Sequence, residues 1–209
     1  MKHTSLHSRF AQRGFTLIEL LVVVAIIALL AGLMFPVLTR GIRQAKISQS
    51  LSNLRQIGMV AQQFANDNNG VYPKLQETIV PGNDGTWLSQ LWPLAYPSKN
   101  GLPGYGEKLR GTIFYTPMIE PTPTARAFGW NAVLESAGNF PSRKYGLLPI
   151  PSQTVLVADT KTSSTLYPTT IHARNNGAAN VLYADGHVGQ VLASEIPTVQ
   201  SALFWNGKP

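Results

Sequence analysis

The sequence has no cysteine, which excludes disulfides and thiolate-held metals but leaves the compartment open. A body lying outside the cytoplasm would be held by packing, by turns or by a bound ion. Charge is scarce, at 13% of residues, and acids are scarcer, with 10 against 17 lysines and arginines. No acid precedes Glu19, and none separates Glu19 from Asp67. Glycine and proline are nearly missing from the first third, where only five of 33 precede Gly70. There is no base-reading motif, no long basic run and no nucleotide-binding glycine loop, so nucleic acid is not the expected partner despite a net charge of +7. Six of the basic residues flank one segment instead: Lys2, Arg9 and Arg13 before it, Arg40, Arg43 and Lys46 after it. The 209 residues leave room for one ordinary domain and an appendage.

The flanked segment, Phe15 to Leu38, is 24 residues of almost unbroken apolar character. A helix needs about 20 residues to cross the hydrocarbon core of a bilayer. Glu19 lies inside it, although a carboxylate there costs roughly 2.5–3.5 kcal/mol. An ordinary secretory signal, cut near Ala28 or Ala31, would have this acid inside its apolar region, which fits poorly. A glutamate snorkelling to the interface is a second alternative. Three basic residues on each side leave the positive-inside rule silent. Pro36, one turn after Gly32, lacks an N–H and clashes with the preceding turn, so a kink is expected there unless the membrane helix merely tolerates it.

Gly14-Phe15-Thr16-Leu17-Ile18-Glu19-Leu20 resembles the GFTLIEL signature of type IV pilins and type II secretion pseudopilins. The resemblance implies that a prepilin peptidase cuts after Gly14, on the cytoplasmic face, and methylates the new N-terminus at Phe15. Residues 1–14 would then be the leader, which is short, basic and free of acids. The family places a glutamate at the position of Glu19, where it meets the N-terminal ammonium of a neighbouring subunit. A partner of opposite charge recovers part of the burial penalty, and mispaired subunits leave a charge unsatisfied. The family also has a bent or flexible section near Gly32 and Pro36.

Residues 39–69 read as an amphipathic helix with a stripe of Ile47, Leu51, Leu54, Ile57, Ala61 and Phe64. Ser48, Gln49, Ser52, Asn53, Arg55, Gln56, Gln62 and Gln63 fill the opposite face, and Asn66 to Gly70 supplies a stop. The stripe is expected to pack on a sheet of the same chain; a coiled coil is disfavoured because it ends after about three heptads. In the head, residues 70–209, Trp87, Leu88, Leu91 and Trp92 read as core or a short helix, with a sugar platform as the less common alternative. Thr112 to Tyr115 and Ala127 to Val133 read as strands, and Asn100 to Gly111 as a loop.

The C-terminal third is clearer. Thr154 to Asp159 is a buried-type strand ending in an acid. Asn180 to Ala184 and His187 to Leu192 are short strands joined by Asp185-Gly186, a dipeptide that signals a two-residue type I′ hairpin turn. His172 and the segment Asn180 to Val188 resemble the prepilin-type processing-associated H-X9-DG domain, a C-terminal signature found with the GFTLIEL start. Twelve residues separate His172 from Asp185 here instead of nine, and the excess falls in the loop Arg174 to Ala178. The region concerned is about 171–192. No cofactor is expected: if Asp159, His172, Asp185 and His187 gathered near one end of the sheet they could hold a divalent ion, but two histidines suit calcium poorly. The plainer alternative has Asp185 making the turn and His172 hydrogen-bonding a loop backbone. No nucleophile with an oriented base can be assembled, so no enzyme is expected.

These observations predict an α+β, pilin-like fold: a long kinked N-terminal helix packed on a small antiparallel sheet. The resemblance implies a structural subunit of a type IV pilus-like or type II secretion pseudopilus-like filament. It implies an inner-membrane, single-pass precursor with a cytoplasmic N-terminus and a periplasmic head, extracellular once assembled in a pilus. Partners would be the prepilin peptidase, other pilin or pseudopilin subunits, the inner-membrane assembly platform and, before assembly, membrane lipid. The alternative is a minor or tip subunit whose head binds a surface, a polymer or DNA.

Overall fold

The computed structural model describes residues 15–75, 85–119, 126–135 and 143–209. The leader and Gly14 lie outside the described residues. The chain forms two compact units, Met1–Arg43 and Gln44–Pro209. The boundary falls within one helix, α1 (Leu17–Asp67), which continues without a break through Gly32 and Pro36. Nearly all of its first half is apolar and exposed, from Leu17 at 79% to Leu38 at 61%. Its buried residues begin only at Ile47 and include Leu54, Ile57, Ala61 and Ala65, the spacing of one helical face. The helix stops where Gly70 N–H turns back to Ala65 O at 2.7 Å.

The second unit is built on a five-stranded sheet in the order β3-β1-β2-β4-β5. The strands are β1 (Phe128–Asn131), β2 (Val155–Asp159), β3 (Thr165–Leu166), β4 (Ala178–Tyr183) and β5 (Val188–Leu192). The β1–β2, β2–β4 and β4–β5 pairs are antiparallel, whereas β1 and β3 are parallel. The expected antiparallel sheet is therefore a mixed one. The reason is local. After β2 the chain reverses in a turn closed by Thr160 Oγ1 donating to Ser163 O at 2.7 Å, and it lands beyond β1. A strand running opposite to β2 must then run parallel to β1. Gly129 makes this crossing feasible, since a Cβ there would sit 2.5 Å from Thr160 Cγ2 and 3.1 Å from the Thr165 carbonyl carbon.

Two hydrophobic clusters lie on the sheet. One joins Leu54, Ile57, Ala61 and Ala65 of α1 to Leu156, Val157 and Leu182 and to an aromatic group around α2 (Trp87–Ala95). The other joins Val155, Ala158 and Val181 to Leu166, Val133 and Trp205 of α3 (Leu203–Asn206). Strand alternation accounts for the division in β4, where Val181 and Leu182 go to opposite clusters. In β2 a register shift between Val155 and Val157 lets both Leu156 and Val157 join the first cluster.

The structure differs from the sequence reading at two further places. Thr112 to Tyr115 is a succession of turns, with Thr112 N–H on Leu109 O and Tyr115 N–H on Thr112 O. Its apolar residues plug the aromatic core instead of joining a ladder: Phe114 meets Trp87 and Trp92 at ring-centroid distances of 6.0 Å each. Asn53, assigned to the polar face of the helix, is buried in the packed face and donates to Tyr115 O at 2.7 Å. A polar side chain is tolerated there because the turn presents it with a carbonyl.

Candidate processing and assembly segment

At the start of α1 the residues Thr16-Leu17-Ile18-Glu19 close a capping box. Thr16 N–H donates to Glu19 Oε2 at 2.9 Å, and Thr16 Oγ1 donates to the same oxygen at 2.8 Å. Glu19 N–H in turn reaches Thr16 Oγ1 at 3.3 Å. Two of the donors that a helix start leaves unpaired are thus satisfied by side chains. The carboxylate also lies at the positive end of the helix dipole. The second oxygen, Oε1, makes no hydrogen bond among the described residues. The sequence signal for this arrangement is the T-x-x-E spacing just before an apolar run.

Beyond the cap, α1 is long and apolar enough to cross a membrane, and its apolar window has no buried residue. Pro36 sits within it, and Thr39 Oγ1 donates to Pro36 O at 3.0 Å. Small hydroxyl groups close to a proline help to satisfy the local backbone in such helices.

The four candidate metal ligands do not come together. Asp159 is at one end of β2, opposite Phe128, while Val155 at the other end faces Tyr183, two residues before Asp185. Among the described residues, no group of three or more His, Asp or Glu side chains is placed to hold a metal ion. Asp159 serves another purpose. Its fully buried carboxylate accepts from Asn175 Nδ2 at 2.9 Å and Asn180 N–H at 2.8 Å, and Arg174 Nε lies 3.6 Å away. Arg174 also donates to the carbonyls of Thr160 and Arg126, the latter at 3.1 Å. Burial pushes the Asp159 carboxyl up to about 6, against the opposing pull of Arg174, Asn180 and Asn175. His172 joins this end through its backbone, its N–H donating to Asp159 O at 2.8 Å. The loop that lengthens the His172–Asp185 spacing therefore carries the cation and the amide that partner Asp159.

Asp185 and His187 pair with each other, His187 Nδ1 lying 2.6 Å from Asp185 Oδ1. The hairpin loop between β4 and β5 has three residues, Ala184 to Gly186, in place of the expected two. Gly186 N–H bonds Tyr183 O at 3.0 Å and Tyr183 N–H bonds His187 O at 2.9 Å. Gly186 has φ +93°, whereas Asp185 is not among the residues of positive φ. This is a type I turn followed by a left-handed glycine, which suits many residues at its second central position.

The aromatic group is core. Trp87 and Trp92 are 0% and 2% exposed, and Trp87 Nε1 donates to Ser164 O at 2.8 Å. The sugar-platform alternative at these residues is thereby removed, since their ring faces are covered by protein.

Residues 9–35 match the family model described as the prokaryotic N-terminal methylation motif. The match spans Gly14, the capping box and most of the apolar segment, and it supports a pilin-like precursor. No curated protein and no solved structure matches the chain.

Proposed function

We propose that the chain is a structural subunit of a type IV pilus-like or type II secretion pseudopilus-like filament. The observation that carries this is a capping box ending in an acid, at the head of an uncovered apolar helix, inside the methylation motif. As precursor, the chain is anchored by residues 15–38 in the inner membrane, with the leader cytoplasmic and the head on the opposite side. Prepilin peptidase removes residues 1–14 and methylates Phe15. In the membrane, Thr16 keeps Glu19 hydrogen-bonded. In the filament, Oε1 accepts the N-terminal ammonium of a neighbouring subunit. One apolar surface thereby serves lipid first and subunit packing afterwards, with the assembly platform moving the chain between them. Gly32 and Pro36 are where the helix bends during that extraction. The C-terminal region about 171–192 is the H-X9-DG element, whose loop is fixed on Asp159. The role is structural and not catalytic.

Intact-mass analysis of the chain from native membranes tests the first step. The expected product begins at Phe15 and carries one added methyl group. A product beginning near Ala28 or Ala31 would mean ordinary signal cleavage and would sink the proposal.

A further inference from the structure

Beside the β4–β5 hairpin the globular unit opens a groove of about 430 Å³. Small-molecule sites occupy roughly 300–1,000 Å³. Tyr183, His187 and Phe204 supply its ring surfaces, and Gln153, Gln190 and Glu195 its planar polar groups. The rings are held in place by one another. Tyr183 and His187 stack at 4.2 Å with 10° between their planes, and Phe204 meets Tyr183 edge-on at 6.3 Å. The Asp185 contact fixes the imidazole through Nδ1, so Nε2 is its remaining polar atom, and the side chain is still 48% exposed. Gln190 is oriented by donating to Asn180 Oδ1 at 3.1 Å, and Glu195 by accepting from Leu192 N–H at 3.3 Å. The Gln153 amide and the Tyr183 hydroxyl have no hydrogen-bond partner among the described residues.

This chemistry selects a ligand class. Among the described residues neither lysine nor arginine lines the groove, and Glu195 would repel phosphate, sulfate or a nucleic acid. A purely apolar ligand would desolvate the Gln153 amide without any partner, at about 1–3 kcal/mol, and would cover the polar atoms that Gln190 and Glu195 leave unused after their bonds to Asn180 and Leu192. A sugar ring satisfies both sides at once, with one C–H face on a flat ring and hydroxyls for amides and carboxylate. We propose that this groove binds a neutral polysaccharide, one sugar ring stacked on His187 and its hydroxyls held by Gln153, Gln190 and Glu195. The proposal goes beyond the filament reading and stands without it.

The test uses the full chain in a zwitterionic detergent, since sugar-headed detergents would compete. It is applied to a printed array of neutral and sulfated glycans, with hexalysine as the cationic probe. Neutral glycans are expected to bind and sulfated ones to fail. His187→Ala and Gln153→Ala should each weaken binding about three- to tenfold, the worth of one ring contact for the first and of one neutral hydrogen bond for the second, with the chain still folded at the assay temperature. His187→Phe, which keeps the flat ring, should retain most of the affinity. Three results would overturn the proposal: no neutral glycan bound at millimolar concentration, hexalysine bound in preference, or neutral binding indifferent to both alanine variants.

Discussion

Glu19 can act as a cap or as a charge, and glutamine separates the two. A capping box accepts Gln as well as Glu at its third position, so Glu19→Gln keeps the reach to Thr16 while removing the charge. This variant is expected to insert and to lose residues 1–14 normally, yet to be absent from sheared filaments when expressed alone. Efficient homopolymers of Glu19→Gln would show that the cap alone explains the acid. Thr16→Ala is the complement: it should loosen the first turn by about 0.5–2 kcal/mol, read as faster amide exchange at Leu20 and Leu21. Gly186 is a second residue whose identity follows from geometry. At φ +93°, an added Cβ would have nothing within 4 Å beyond its chain neighbours, so the strain of a substitution is mainly that of the backbone. Gly186→Val should therefore destabilise the chain by on the order of 1–2 kcal/mol in denaturant titrations. Asp185→Asn, at an undemanding turn position, should change stability little.

The end of β2 shows an element whose stability depends on pH. The Asp159 carboxyl is raised from its ordinary value of 3.8 to about 6, so the folded chain holds that proton more tightly than the unfolded one. Its contribution is full below about pH 4, falls as pH rises through 4 to 6, and is lost above. The Asp159 share of the unfolding free energy should thus decline across that window, and Asp159→Asn should remove that decline, making the variant's stability rise more, or fall less, with pH than the wild type's. If Asp159→Asn instead made stability rise less steeply with pH from 4 to 6 than in the wild type, the Arg174 contact would outweigh burial. The core role of Asp159 was not legible in the sequence, where an acid at a strand end beside two histidines suggested an ion. What revealed it were its partners Arg174 and Asn175, placed by a loop whose path no periodicity encodes. The same holds for Thr112 to Tyr115, apolar enough for a strand but folded as a plug, and for Asn53, whose partner is a turn carbonyl 62 positions away in the chain. By contrast, α1, β2 and the β4–β5 hairpin were readable, because long apolar periodicity and an Asp-Gly turn are local signals. The parallel placement of β3 followed only from the order in which the chain returns to the sheet.

At the scale of the whole molecule, the chain separates an exposed apolar half-helix from a packed body, and α1 belongs to both. The first buried residue of α1 is Ile47, and the compact units divide between Arg43 and Gln44. A chain starting at Gln44 would lose every exposed apolar residue from Phe15 to Ile42 and not one buried residue of α1. That truncation is expected to be soluble without detergent and to melt within a few degrees of the full chain. A chain starting at Arg55 would also lose Ile47, Ser50, Asn53 and Leu54, all at least nine-tenths buried. It would uncover part of the aromatic core, and it would leave Asn180, which donates to Ser50 Oγ at 3.1 Å, without that acceptor. Removing large buried aliphatic side chains costs about 2–5 kcal/mol apiece, and a domain of this size holds only about 5–15 kcal/mol in total. The shorter chain should therefore unfold or aggregate at ambient temperature, as circular dichroism and sedimentation would show. If it stayed folded, or if the Gln44 chain did not, the packed body would have to end at a different point along α1.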